Sequence, residues 1–212
     1  MFVLGLTGSI GTGKSTTAAL FREAGAPVFD ADAAVHALYN GEGEAGREAV
    51  AAVAAAFPGA ERDGRIDRAA LGRLVVGEEP GARAALARLE AIVHPRVRAL
   101  EERFLRDAAA ARAPLAVLDV PLLLETGGEA RCDAVLVVTV APALLRARVL
   151  ARPGMTAEKL DAMLARQTPD GEKRRRAHFV LDTGSGLEGA RSRVRAILRA
   201  LAGRPGGRRA RG

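Results

Sequence analysis

The sequence predicts an α/β fold of three layers, a parallel five-stranded sheet with helices on both faces, extended by a helical insertion and a second, smaller helical insertion. Three observations carry that reading. Short, continuous apolar runs recur at Phe2–Leu6, Pro27–Phe29, Leu115–Val120, Ala134–Val140 and Phe179–Leu181, with helix-prone segments between them. Continuous rather than alternating hydrophobicity is how strands buried on both faces read. The first run leads directly into Gly8-Ser9-Ile10-Gly11-Thr12-Gly13-Lys14-Ser15, a G-x-x-x-x-G-K-S/T phosphate loop in its strand–loop–helix context. About 85 residues separate the second run from the third, far more than one crossover needs.

The loop comes first along the chain. Its glycines accept backbone conformations that a Cβ forbids, so the loop N–H groups can converge on phosphate oxygens beside the N-terminus of the following helix. Gly11, Thr12, Gly13, Lys14, Ser15 and Thr16 form the expected nucleotide-binding set. Lys14 is expected to reach the β- and γ-phosphates, and the Ser15 hydroxyl to ligate Mg²⁺. The helix from about Lys14 to Ala24 stops at Gly25, and Pro27 opens the second strand. This chain is expected to bind a nucleoside triphosphate.

Phe29-Asp30-Ala31-Asp32 ends the second strand, and carboxylates at the carboxyl end of a parallel strand face the ligand crevice. If strand geometry persists, Asp30 and Asp32 share a face, and one can accept a proton from a substrate hydroxyl. The competing reading makes Asp32 the N-cap of the next helix. Residues 33–112 form the helical insertion, with helices expected at Asp32–Leu38, Gly46–Phe57, Arg68–Val76 and Ala82–Ala111, punctuated by Pro58, Gly64, Pro80-Gly81 and Pro95. His94-Pro95 lies within it, and a lone histidine such as His94 is more often structural than functional. His36 and His178 show no evident partner in the sequence and are assigned nothing.

Val117-Leu118-Asp119 has the form of a Walker B strand, whose carboxylate holds Mg²⁺ opposite Ser15. Arg146, Arg148 and Arg152 are read on the helix that enters a second insertion; Arg148 and Arg152 are four apart and share a face. Arginines over bound phosphates neutralise transition-state charge, and a solvated basic face is the plainer alternative. The helix breaks at Pro153-Gly154, and Thr156 can cap a second one from Ala157 to Arg166. Residues 146–170 are read as the smaller insertion, the segment that the resemblance named below makes a lid; residues 1–32, 113–145 and 171–202 make the core.

Composition narrows the class. The net charge of +7 includes four arginines in the last ten residues, Arg204, Arg208, Arg209 and Arg211. Residues 203–212 are therefore read as a disordered, Arg-rich tail, and the mildly basic body suits phosphate substrates. With one tyrosine and no tryptophan, base-stacking platforms are scarce, and no specific nucleic-acid partner is expected. Cys132 is the sole cysteine, so no internal disulfide forms. No leader or membrane span is evident, and a cytoplasmic protein is expected. The Asn-Lys-x-Asp guanine signature is missing, which argues against a GTPase.

The motifs together resemble the dephospho-CoA kinase family. The resemblance rests on Leu6–Thr16, Phe29-Asp-Ala-Asp32, Gly64-Arg-Ile-Asp-Arg68 with Leu71, Leu89-Glu-Ala-Ile-Val-His-Pro95 and Leu118-Asp-Val-Pro-Leu-Leu-Leu-Glu125, and runs from residue 1 to about 190. It implies a P-loop kinase core, a helical CoA-substrate domain and a lid. It implies transfer of the ATP γ-phosphate to the ribose 3′-hydroxyl of dephospho-CoA, the last step of CoA biosynthesis. On this resemblance Asp32 matches the general base, Arg148 the lid arginine, and His94-Pro95 the substrate-domain motif. Two positions depart from the family: Asp182-Thr183-Gly184 stands where an Asp-Asn pair near the adenine is usual, and Val76 replaces a frequent aromatic. Another small-molecule phosphotransferase of the same fold, or a non-enzymatic ATP switch or RNA-binding ATPase, is the alternative.

Overall fold

The computed structural model describes residues 1–77 and 80–207. The chain runs β1 (Phe2–Gly8), α1 (Lys14–Glu23), β2 (Val28–Asp30), α2 (Ala31–Tyr39), α3 (Gly43–Ala56), β3 (Glu61–Arg62), β4 (Arg65–Ile66), α4 (Arg68–Val75) and α5 (Pro80–Ala110). It continues through β5 (Leu115–Asp119), a 3₁₀ turn (Gly128–Arg131), β6 (Ala134–Thr139), α6 (Pro142–Leu150), α7 (Ala157–Ala165), α8 (Asp170–Arg176), β7 (Phe179–Asp182) and α9 (Gly186–Leu201). Two compact units result, Met1–Asp30 with Leu105–Gly212, and Ala31–Phe104.

The larger unit is built on a parallel five-stranded sheet of order β2-β5-β1-β6-β7. Each predicted apolar run supplies one strand, and β1, β5 and β6 are buried along their whole length. Period-two alternation sends side chains to opposite faces. Leu4, Leu6, Val117, Leu136 and Val138 join Phe21 of α1 and Val194, Ile197 and Leu201 of α9 in one core. Val135 and Val137 pack the other way, against Leu123, Leu124, Cys132 and Ala177. Gly5 makes this second layer possible: a Cβ there would stand 2.6 Å from Leu123 Cδ2 and 2.7 Å from Cys132 Sγ. The buried stripe Ala190, Val194, Ile197 and Leu201 recurs at helical spacing, and each large member contributes at most about 1.5–3 kcal/mol by burial.

The smaller unit has its own core of Val50, Val53, Phe57, Ile66, Leu71, Val75, Leu89 and Val93. It is not purely helical, as the sequence suggests. Asp63 and Gly64 take φ of 53° and 74°, the left-handed pair that closes a two-residue hairpin, and β3 and β4 pair antiparallel around it. Asp67 then caps α4, accepting from the N–H groups of Ala69 and Ala70 at 3.0 Å. Pro95 does not interrupt its helix either, since α5 continues through it. Pro95 cannot donate to the Ala91 carbonyl one turn back, and the Arg96 guanidinium donates to the neighbouring Ile92 carbonyl at 2.7 Å.

Two further expectations are corrected. Strand geometry ends at Asp30 and α2 starts at Ala31, so Asp32 neither shares a strand face with Asp30 nor precedes the helix as a cap. It lies exposed in the first turn of α2, where a carboxylate complements the helix dipole. The tail is ordered at its start: the Gly207 N–H donates to Asp133 Oδ1 at 2.9 Å and the Arg204 N–H to the Leu201 carbonyl at 3.1 Å. Arg208, Arg209 and Arg211 lie outside the described residues. Among the described residues no helix is long and apolar enough to cross a membrane.

Candidate active site

The phosphate loop joins β1 to α1 at the carboxyl edge of the sheet, beside the central strands. Its glycines serve in two ways. Gly11 and Gly13 take φ of 80° and 89°, conformations that L side chains rarely adopt. Gly8 and Gly11 also answer close approach: a Cβ on Gly8 would lie 2.6 Å from the Val138 carbonyl, and one on Gly11 2.5 Å from Val149 of α6. Thr12 is buried, donating from its hydroxyl to the Ser9 carbonyl at 2.8 Å. Gly13 precedes α1 without a side-chain cap, which leaves first-turn N–H groups for an anion. Ser15 and Thr16 stand exposed in that turn.

Lys14 and Asp119 meet. Lys14 Nζ lies 2.6 Å from Asp119 Oδ1, with side-chain exposures of 14% and 2%. The pairing follows from topology, because β5 lies next to β1 and ends at Asp119 beside Leu6. Sheet register also sets Asp30 of β2 directly opposite Asp119. Two acidic residues thus close neighbouring strands at the carboxyl edge, and the loop lysine supplies the compensating cation to one. The adjacency of Asp30 and Asp119 is invisible in the sequence because it depends on register between strands about 90 residues apart.

Arg148, half-buried on α6, is held by Thr183. Its Nη1 donates to Thr183 Oγ1 at 2.9 Å and its Nη2 to the Thr183 carbonyl at 3.2 Å. The Thr183 hydroxyl in turn donates to the Thr12 carbonyl at 2.7 Å. Arg146 instead pairs with Asp161 of α7 at 2.6 Å, and Arg152 is exposed, so the three arginines separate into three settings. Val140, Leu145, Val149 and Leu160 form one cluster with Ile10 of the loop against it. The segment carrying Arg148 therefore packs on the phosphate loop rather than standing clear of it.

Lys173 escapes a sequence reading. In Asp170–Arg176 it looks like one more cation on a basic helix, yet its side chain is fully buried. Its Nζ lies 3.1 Å from Glu125 Oε1 and 3.4 Å from the loop's Ser9 Oγ. Glu125 also accepts from the Thr168 N–H at 2.8 Å. Burial opposes ionisation of Glu125, but the backbone N–H groups and the Lys173 ammonium outweigh it and hold the carboxyl below its ordinary value. A depressed carboxyl contributes stability that is present above the ordinary value of 4.5 and lost as pH falls through the folded one. The melting-temperature gap between wild type and Glu125→Gln should therefore narrow as pH drops from 7 to about 3.5; a constant gap would show that the ionised form is not what stabilises.

Both unassigned histidines have partners. The Val135 N–H donates to His178 Nδ1 at 3.1 Å, and Arg68 Nη1 lies 3.4 Å from His36 Nδ1. His94 and Pro95 are exposed side by side on α5 in the smaller unit.

Comparison with known proteins follows this geometry. A family model described as CoaE, dephospho-CoA kinase, matches residues 2–188. The chain is 58% identical over 214 aligned positions to a dephospho-CoA kinase of Rhodopseudomonas palustris (strain BisB18), spanning 97% of this chain and 98% of that protein. It is 48% identical to one of Brucella melitensis biotype 1 over 205 positions, with the same two spans of 97% and 98%. Among solved structures, TT1252 from Thermus thermophilus matches with a TM-score of 0.78 at 39% identity, covering 95% of this chain and 98% of that one. A dephospho-CoA kinase from Campylobacter jejuni shares the fold, with a TM-score of 0.59 at 21% identity over 94% and 96% of the two chains.

Proposed function

The chain belongs to the dephospho-CoA kinase family, and from that premise we propose that Lys14, Asp32 and Arg148 carry its phosphoryl transfer to the ribose 3′-hydroxyl. The enzyme is an ATP-dependent transferase that phosphorylates dephospho-CoA in CoA biosynthesis. In the proposed step the 3′-oxygen forms a bond to the γ-phosphorus while the bond from that phosphorus to the β,γ-bridging oxygen breaks, and ADP leaves. Asp32 accepts the hydroxyl proton. The loop amides of residues 11–16 and Lys14 hold the triphosphate, and Arg148 meets the charge on the transferring group. His94 and Pro95 contact the CoA-derived acceptor.

The observation that most supports this assignment is the arrangement around the loop. Lys14 is held by a buried carboxylate at 2.6 Å, and Arg148 is joined to the Thr12 carbonyl through one side chain. Ser15 and Asp119 fit a divalent cation: an exposed hydroxyl at the start of α1 and a carboxylate at the end of β5 are the hard oxygen donors Mg²⁺ takes alongside water and phosphate. When bound, Mg²⁺ supplies charge neutralisation on the triphosphate. A cytoplasmic location accords with this role, and no specific nucleic-acid partner is required.

The hydroxyl assignment has a direct test. The 3′-deoxy analogue of dephospho-CoA should compete with dephospho-CoA for the enzyme yet accept no phosphate in a coupled ADP-release assay. A phosphorylated product from that analogue would show that another oxygen is attacked. Parallel assays with adenosine, AMP and shikimate should show little turnover, and a preference for one of them would favour a different acceptor class.

A further inference from the structure

We propose that Thr183 is a positioning residue that holds the Arg148 guanidinium against the phosphate loop before the nucleotides react. This deepens the assignment above and rests on the reading of Arg148 as the residue that meets charge on the transferring phosphoryl group. Thr183 touches both partners at once. Its hydroxyl donates to the Thr12 carbonyl at 2.7 Å and accepts from Arg148 Nη1 at 2.9 Å, and its carbonyl accepts from Nη2 at 3.2 Å. A hydroxyl has one proton and two lone pairs, and here the proton is committed to the loop while a lone pair receives the guanidinium. The direction of both bonds is therefore set by chemistry, because the Thr12 carbonyl can only accept and the guanidinium can only donate.

The surroundings make the link stiff. Thr183 is buried, and Thr12 almost completely so. Its Cγ2 lies against Gly13, where a Cβ would stand 3.2 Å away. The Thr183 N–H donates to the Thr139 carbonyl at 3.0 Å, tying the residue to the end of β6. Arg148 thus has two of its donors fixed by a residue anchored to both the sheet and the loop. Preorganised donors avoid the cost of ordering a flexible side chain during the reaction. An asparagine in the same place offers a longer, planar side chain with a different donor–acceptor layout. In this chain, position 183 serves the arginine.

Thr183→Val is close in shape, retains a methyl against Gly13 and removes only the hydroxyl, so it is the central variant. It should lower kcat about ten-fold, the scale of one charge-assisted hydrogen bond, with the ATP dissociation constant within about two-fold of wild type. Thr183→Ser should recover most of kcat. Arg148→Ala should itself lower kcat by about 10²-fold or more, and adding Thr183→Val to it should cost almost nothing further. Melting temperatures report folding, and Thr183→Ala completes the same cycle if the valine variant does not fold. Additive losses in the double variant, an unchanged kcat in Thr183→Val, or an effect confined to ATP affinity or to ATP-over-GTP preference would each overturn the proposal while leaving the Arg148 assignment intact. A wild-type kcat in Arg148→Ala would overturn both.

Discussion

Lys14→Ala is expected to weaken ATP binding and to lower kcat by about 10²-fold or more in the same protein. In the proposed role the cation contacts phosphate both before and during transfer, so its loss shows in both parameters rather than in one. Structure adds a second consequence. Lys14 is within 2.6 Å of Asp119, whose carboxylate is 2% exposed and stands opposite Asp30 in sheet register. Removing one partner of a buried pair leaves an uncompensated charge, at a cost of up to about 3–5 kcal/mol.

The two consequences separate experimentally. Adding Asp119→Asn to Lys14→Ala should restore much of the lost melting temperature, because the orphaned charge is gone, but it should not restore ATP affinity. Calorimetric titration with ATP beside thermal melts reads both. An unchanged ATP dissociation constant in Lys14→Ala would show that the lysine serves the fold alone.

How far the sequence carries this picture depends on the range of the interactions involved. The parallel strands are legible because burial on both faces leaves continuous apolar runs, and all five recur in the sheet. The phosphate loop is legible because glycine spacing is a local, backbone-level demand, although the sequence alone does not separate Gly11, with its positive φ, from Gly8, where the Val138 carbonyl leaves no space. Lys173 is illegible for the opposite reason. Its burial depends on Glu125 and Ser9, which come from distant parts of the chain, while its neighbours Arg174 and Arg175 are exposed.

Thr183 shows the same limit in another form. It stands out in the sequence as a departure from the family's pattern, but its partners Thr12 and Arg148 are brought to it only by packing α6 and the loop beside β7. The tail is a smaller case. Gly203 to Gly207 lacks the large apolar side chains that signal docking, and a hydrogen bond from the Gly207 N–H to Asp133 ties it down instead. Local patterning reports which elements form; polar contacts between distant segments are written in no local pattern.

Asp32→Asn is expected to lower kcat by about 10²-fold or more while leaving the ATP dissociation constant within about two-fold. The amide keeps the size of the side chain but cannot take a proton from the attacking hydroxyl at neutral pH. Because Asp32 lies in the first turn of α2 rather than at its cap, the substitution also removes a favourable charge from the helix N-terminus. For an exposed residue that term is about 0.3–1 kcal/mol, so only a small fall in melting temperature accompanies the loss of turnover. The general-base role and the helix-dipole role therefore differ in which observable moves. Asp32→Glu sharpens the contrast: it retains the charge and the dipole term but moves the carboxylate by one methylene, so stability should return while kcat stays depressed. Near-wild-type turnover in Asp32→Asn, with stability alone reduced, would leave Asp32 as a helix-terminal charge and move the search for the base elsewhere.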